Sequence, residues 1–436
     1  MSGEKCFEIL DKIFIPKKKQ DIEQIKGYTI KYGNIVENGE VIDEVLVSYF
    51  KAPKSYTTEN MCEINSHGGN IIVKKILEMC LKNGANIAEP GEFTKRAFLN
   101  GRIDLLQAES VIDVINAKSE REAKTGIKQL EGYLSCEIEK IRKEIMDVMV
   151  NIEVAIDYPE YDVEDVTNKQ INKMIESIEE KLLKLEKSFD NGKIIKEGIK
   201  TVIIGKPNAG KSSLLNALLK EERAIVTEYE GTTRDTIEEF ITIDGIPLKL
   251  IDTAGIRNAK DEVEKIGIAK SREIAKQADL VIPIFDSSKD LDKQDEEILE
   301  IAKNKKSIII LNKIDLNSVI DEEDKRLKDT NSKIIKISAL NNIGIEGLQK
   351  EIIKLFNLNE INLDNEVVIT NIRHKNLISK AIENVKKAKE TTNDKMPLDI
   401  IAIFIKNILE DLGEITGEIV TDDIIDEIFA KFCLGK

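Results

Sequence analysis

The chain has 436 residues, 41% of them apolar, and carries 65 basic against 80 acidic side chains for a formal charge of −15. That length exceeds one compact core and fits two or three domains, while the acidity excludes nucleic-acid binding by bulk charge, so any RNA contact needs local basic patches or a basic partner. No run of about 18 uninterrupted apolar residues occurs and the opening MSGEKCFEILDKIF lacks a signal-peptide layout, so a cytoplasmic chain with no membrane span is expected.

Residues 1–117 mix short apolar runs with turn signals. In YTIKYGNIVENGEVIDEVLVSYF, Asn38-Gly39 separates two alternating runs, a strong hairpin signal. The helical stretch GNIIVKKILEMCLKNG follows, so an α+β domain is expected. Cysteines at positions 6, 62, 80, 136 and 433 are odd in number and form no Cys-x-x-Cys pair, which argues against a disulfide framework or a zinc site.

Over 118–198 the period changes. Ile138, Ile141, Ile145, Val148 and Ile152 lie on one face of a long helix. Ile171, Met174, Ile175, Ile178, Leu182 and Leu185 form a second stripe, and both read as packing faces. Over 199–356 the strand candidates TVIIG, IPLKLID, DLVIPIFD, SIIILNK and KIIKISA alternate with helical segments, which predicts a parallel sheet flanked by helices. Over 357–436 helical spacing returns at Ile401, Ile405, Ile408 and Leu412. The simplest organisation is a multidomain chain. It has an N-terminal α+β domain (1–117), and a discontinuous all-α helical domain (118–198 and 357–436) whose halves pack together. An inserted α/β P-loop domain occupies 199–356. The basic stretches 193–200 and 374–390 read as solvated faces.

Chemistry concentrates in the inserted domain. GKPNAGKSS (Gly205–Ser213) fits G-x-x-x-x-G-K-[ST] between a strand and a helix. Asn208, Ala209, Gly210, Lys211, Ser212 and Ser213 are expected to face a nucleotide. The glycines let N–H groups wrap phosphates at a helix N-terminus. Lys211 would contact the β- and γ-phosphates, and the Ser212 hydroxyl would bind Mg²⁺. In DTAG (Asp252, Thr253, Ala254, Gly255), Asp252 can hold Mg²⁺ through water and the Gly255 amide can report on the γ-phosphate. GTTRD (231–235) supplies Thr233, the better candidate for closing on Mg²⁺. In NKID, Asn312, Lys313 and Asp315 form the base-reading motif. The Asp315 carboxylate can accept two hydrogen bonds from guanine, a donor pair that adenine lacks. Ser338 and Ala339 of SAL offer a second guanine contact. These motifs, in this order, specify a GTPase. The residue after Gly255 is Ile256, which cannot orient water, and no arginine finger is evident. The acidic stretch KDEVEKIG (260–267) is either a solvated loop or a source of a water-polarising carboxylate.

The chain resembles the MnmE (TrmE) family of bacterial tRNA-modification GTPases over nearly its whole length. HGG (67–69), PGEFTKRAFLNGRIDLLQAE (90–109), GKPNAGKSSLLN, IVTEYEGTTRD, DTAGIR, DEVEKIG, NKID, EITGE (414–418) and the terminal FCLGK carry the resemblance. It implies a GTP hydrolase stimulated by K⁺ when two G domains meet. Asn208, Thr227, Tyr229 and Thr232 match the K⁺ positions. Glu264 matches the glutamate that orients the attacking water and joins Lys211 and Thr233 as a catalytic residue. The resemblance further implies a homodimer through the N-terminal domains. A flavin-dependent partner, MnmG, works with it in a hetero-oligomer to place a 5-carboxymethylaminomethyl-type group on the wobble uridine of tRNA. The carbon comes from 5-formyl- or methylene-tetrahydrofolate held by Glu63, Arg102 and Lys436.

Taken alone, Phe432–Lys436 reads as a frayed end. The resemblance implies a tail folded onto the folate site, with Cys433 close by; a reactive role for its thiol depends on a lowered pKa, which sequence does not give. Family members usually begin with a further Gly-rich stretch and a strand, so the N-terminal domain is expected to lack its first strand. Two alternatives stand beside this reading: a GTP-gated, non-modifying scaffold or ribosome-assembly factor, and a truncated relative with GTPase but no modification activity.

Overall fold

The computed structural model describes residues 1–18, 27–157, 164–221, 239–251, 267–358, 367–394 and 396–435. Two compact units emerge. The first comprises 1–115, 127–179 and 380–436; the second comprises 116–126 and 180–379.

The first unit begins with helix α1 (Cys6–Ile13) and a four-stranded antiparallel sheet of β1 (Phe14–Pro16), β2 (Thr29–Glu37), β3 (Glu40–Phe50) and β4 (Met61–Asn65), in that spatial order. The turn between β2 and β3 is Asn38-Gly39, both at positive φ (51° and 84°), as a two-residue hairpin requires. Helix α2 (Asn70–Lys82) joins α1 in covering one sheet face. Phe7, Leu10, Ile13, Ile76 and Met79 pack there against Ile35, Val45, Val47 and Tyr49. Three cysteines lie in this core. Cys6 Sγ and Cys62 Sγ share a hydrogen bond at 3.4 Å, and Cys80 is buried with them. That hydrogen bond lowers the Cys6 thiol's pKa and raises that of Cys62.

Helices α3 (Glu92–Leu99) and α4 (Leu105–Ile115) follow, then α5 (Glu120–Leu130), α6 (Tyr133–Asp157) and α7 (Glu164–Glu197). The stripe Ile138, Ile141, Ile145, Val148 and Ile152 on α6 is fully buried. So are Ile171, Ile175, Ile178 and Leu182 on α7, with Leu185 close to it and Met174 half-buried. The chain's last helices α13 (Ile372–Asn393), α14 (Leu398–Thr416) and α15 (Asp422–Phe429) return to this architecture. α14 packs along α6 through Ile401, Ile405, Ile408 and Leu412. The discontinuous helical domain therefore forms from segments far apart in sequence.

The second unit holds a six-stranded sheet built from β5 (Ile199–Ile204), β6 (Glu239–Ile243), β7 (Ile246–Leu250), β8 (Leu280–Asp286), β9 (Ile308–Asn312) and β10 (Lys333–Lys336). Its order is β10-β9-β8-β5-β7-β6, parallel except for β6 against β7. One face packs against α8 (Lys211–Glu221) and α12 (Ile345–Leu355) through Leu214, Leu218, Leu348 and Ile352. The other packs against α9 (Gly267–Gln277) and α10 (Lys293–Lys303) through Ala275, Ile298 and Leu299. A short helix, α11 (Lys325–Lys328), precedes β10. Ligands in such sheets bind beyond the C-terminal strand ends. Among the described residues no helix is long and apolar enough to cross a membrane.

Candidate functional site

β5 is buried at the centre of the sheet and delivers the chain to Gly205, where a Cβ would stand 2.5 Å from the Ile284 carbonyl. Asn208 (φ 61°) and Gly210 (φ 107°) turn the loop back on itself, and α8 starts at Lys211. Asn208, Ser212 and Ser213 are exposed at its surface, while Ala209 is buried beneath it. Lys211 Nζ donates to the Gly205 and Lys206 carbonyls at 2.6 and 2.9 Å. Its ammonium thus lies across the loop that the sequence assigns to phosphates.

Two strands away, β9 ends at Asn312, which is 2% exposed. Its Nδ2 donates to the Ala209 carbonyl at 2.9 Å, and its Oδ1 accepts from the Ala339 N–H at 3.0 Å. A Cβ on Gly210 would stand 2.0 Å from that Nδ2, so only glycine lets the two loops close. One side chain therefore fastens the phosphate loop to the SAL turn. Asp315 is exposed, and its Oδ1 accepts from the buried Ser338 hydroxyl at 2.5 Å. The turn itself is closed by paired backbone bonds between Ser338 and Ile343. Lys313 (φ 67°) reaches Asp286 at the end of β8, 2.6 Å away. Burial pushes the Asp286 carboxyl up, but Lys313 and Ser288 outweigh it and hold it below its ordinary range. Lys206 pairs with Asp292 and Asp295 at 2.8 and 2.7 Å, fastening the loop's first turn to the start of α10.

Asp286, Lys206 and the double role of Asn312 were missed by sequence reasoning. Asp286 had a signal, since it closes the apolar run DLVIPIFD at a strand's C-terminal end. Thr227, Tyr229, Thr232, Thr233, Asp252, Thr253, Ala254, Gly255, Glu264 and Lys436 lie outside the described residues.

In the first unit, Glu63 is exposed on β4, opposite Ser48 of β3. The uncovered sheet face around it carries Ile15, Ile30, Tyr32 and Leu46, each 47–66% exposed. Arg102 donates to the Tyr56 carbonyl at 3.0 Å and stacks on its ring, 4.7 Å from the centroid. The Tyr56 hydroxyl in turn meets Thr94 on α3 at 3.0 Å. His67 of HGG meets the carboxylate of Asp43 at 2.7 Å.

The C-terminal tail is anchored. Phe432 is buried against Phe429 with centroids 5.1 Å apart, and the Gly91 N–H donates to the Cys433 carbonyl at 3.3 Å. A Cβ on Gly91 would stand 2.9 Å from Phe432, so this glycine makes the seat. Lys95 pairs with Asp426 beside it. Among the described residues no hydrogen bond or ion pair joins Glu63 to Arg102 or to Cys433, which is exposed.

The chain matches a model of the MnmE helical domain over residues 105–433 and a model of the TrmE N-terminus, described as a GTP-binding protein, over residues 1–102. It is 51% identical over 440 residues to the tRNA modification GTPase MnmE of Acetivibrio thermocellus, covering all of this chain and 95% of that protein. The MnmE of Clostridioides difficile is 49% identical over 436 residues with the same coverage. The solved G domain of the T. maritima FeoB iron transporter is 27% identical over 36% of this chain and 98% of its own, with a TM-score of 0.27. Two family models that together span almost the whole sequence, and relatives about 50% identical across the full length of this chain, lead to one assignment: the chain belongs to the MnmE (TrmE) family of tRNA modification GTPases.

Proposed function

We propose that this chain hydrolyses GTP under K⁺ stimulation and uses that cycle in tRNA modification. The observation that carries the reading is the Asn312 fastening, which sets the phosphate loop and the base-reading Asp315 on one rigid frame. In this reading Asp315 accepts both guanine donors, the Ala339 side of the turn closes over the base, and Lys211 moves from the loop carbonyls to the β- and γ-phosphates. Ser212 and Thr233 offer hydroxyl oxygens to Mg²⁺, a donor type that suits a hard cation. Asn208, exposed on a left-handed residue, joins Thr227, Tyr229 and Thr232 around K⁺. Glu264 orients the attacking water. Bound beside the phosphates, the cations neutralise charge that develops during transfer.

GTP turnover of the full chain in K⁺ and in Na⁺ tests this. A cation at the transition state can be worth about 10³–10⁵ in rate, so K⁺ is expected to raise turnover by about tenfold or more. Equal turnover removes K⁺ from the reading, and failure to bind GDP removes the nucleotide site.

The same reading extends to the family's second chemistry. The relatives are named for tRNA modification. The chain would act on the wobble uridine with the flavin-dependent MnmG, taking its carbon from 5-formyl- or methylene-tetrahydrofolate held by Glu63, Arg102 and Lys436. The uncovered apolar sheet face that carries Glu63 supports a homodimer through the N-terminal domains, because such a patch is costly to leave in water.

A further inference from the structure

The base-reading loop is held from a second side, by the end of β8. Asp286 stands in register with Asn312 of the parallel strand β9, and the Ser287 N–H donates to the Asn312 carbonyl at 2.9 Å. The next residue, Lys313, turns the chain at φ 67°. A residue with a Cβ is strained there, so its partners must hold it. The Leu316 N–H donates to the Lys313 carbonyl at 2.9 Å, and the Ile314 N–H donates to the Ile337 carbonyl at 3.2 Å. The Lys313 ammonium adds its ion pair with Asp286 Oδ2 at 2.6 Å. That carboxylate is itself fixed: Ser288 donates to Asp286 Oδ1 from its N–H at 3.1 Å and from its hydroxyl at 2.6 Å. The Asp286 side chain is 11% exposed and that of Lys313 30%, so the pair is better shielded than a surface ion pair.

Beyond Asp315 the chain is tied to the same strand end. The Val319 and Ile320 N–H groups donate to the Ser287 carbonyl at 2.7 and 3.2 Å, and Ser287 is buried. Asp315 therefore lies between two attachments to the end of β8, with the Ser338 hydroxyl on its Oδ1 as a third. Reading guanine asks one carboxylate to meet two donors of a rigid ring at once, the N1–H and the exocyclic amine. Such paired bonds are sensitive to geometry, and a small displacement of the carboxylate weakens the pair more than a single bond.

We propose that Asp286 is a positioning residue for base recognition: through Lys313 it sets the Asp315 carboxylate so that both guanine donors are met. This inference rests on the GTP reading above. Its role differs from that of Asn312, which fastens the phosphate loop as well. Loosening Asp286 therefore costs a base with two donors more than a base with one, whereas a general loss of stability costs both alike.

The test titrates the full-length chain with GDP and with IDP, whose hypoxanthine keeps the N1–H and lacks the exocyclic amine. The variants are Asp286→Asn, which is isosteric and gives up the charge that holds Lys313, Lys313→Met, which keeps the stem without the ammonium, and their combination. The wild type is expected to prefer GDP. Either single variant narrows the ratio of GDP to IDP affinity by about three- to tenfold, on the order of one hydrogen bond weakened. The double variant narrows it no further than the larger single, because both remove the same contact. Ser288→Ala, which removes one anchor of Asp286 and leaves the base loop untouched, moves the ratio the same way by less, and it carries the test if Asp286→Asn does not fold. An unchanged ratio in folded variants, equal losses for both nucleotides, or single effects that multiply overturn the proposal. A wild-type chain that binds neither nucleotide, or binds IDP as tightly as GDP, overturns the GTP reading itself, and the inference with it.

Discussion

Replacing Asn312 by alanine tests the central claim about the site. Asn312, Ala209 and Ala339 are 2%, 4% and 5% exposed, so water cannot take over the lost bonds. The substitution leaves the Ala209 carbonyl and the Ala339 N–H buried without this partner. Each orphaned group costs about 1–3 kcal/mol, so the pair sums to about 2–4 kcal/mol after partial relaxation. In a body of about 200 residues, where 1 kcal/mol moves the midpoint by about 2–4 °C, this lowers the unfolding temperature of the second unit by about 4–16 °C. The assay is a calorimetric scan of the nucleotide-free chain beside a GDP titration. Because the same side chain frames both loops, GDP affinity is expected to fall by about tenfold or more, equivalent to about 1.4 kcal/mol. Asn312→Asp should be worse, since a carboxylate would face the Ala209 carbonyl. A midpoint within about 2 °C of wild type, with GDP affinity intact, refutes the idea that one side chain holds the two loops together.

Asp315→Asn exchanges an acceptor for a donor at the base; GTP affinity is expected to drop about 100-fold or more, with xanthine nucleotides preferred instead, as competition binding would show. Asp286→Asn gives a pH-dependent loss. The Asp286 carboxyl is depressed below its ordinary 3.8, so its stabilisation is present above that value and fades as pH falls through the lower folded one. Denaturant midpoints should therefore differ from wild type at neutral pH, begin to converge below about pH 3.8 and meet only below the lower folded value. Removing Phe432–Lys436 takes away the ring packed on Phe429 and the acceptor for the Gly91 N–H. Amide exchange over 91–112 should quicken and 5-formyltetrahydrofolate should bind more weakly; unchanged exchange would return the tail to a frayed end.

Much of this architecture is legible in the sequence, because it rests on local rules. Asn38-Gly39 demanded a hairpin, and the chain turns there with both residues at positive φ. The five apolar runs of the inserted domain became β5, β7, β8, β9 and β10; the inner strands β5, β8 and β9 are buried almost throughout, and strands covered on both faces are near-continuously apolar. β6 escaped notice: it stands at the edge of the described sheet, and in EFITI the polar Glu239 and Thr242 interrupt the apolar run. The phosphate loop and Asp315 were readable as motifs. Asn312 was readable only as a member of one. Its partner Ala209 lies 103 residues away, and no spacing rule spans that distance.

The burial of three thiols in the N-terminal core has a practical consequence. Cys6, Cys62 and Cys80 are closed off from solvent, whereas Cys136 on α6 and Cys433 in the tail are open to it. Maleimide dyes applied to the folded, unmutated polypeptide should therefore attach at two positions within one unit. A spectroscopic ruler comes built in, with one end on a long rigid helix and the other beside the clasped terminus, ready to report when that clasp lets go.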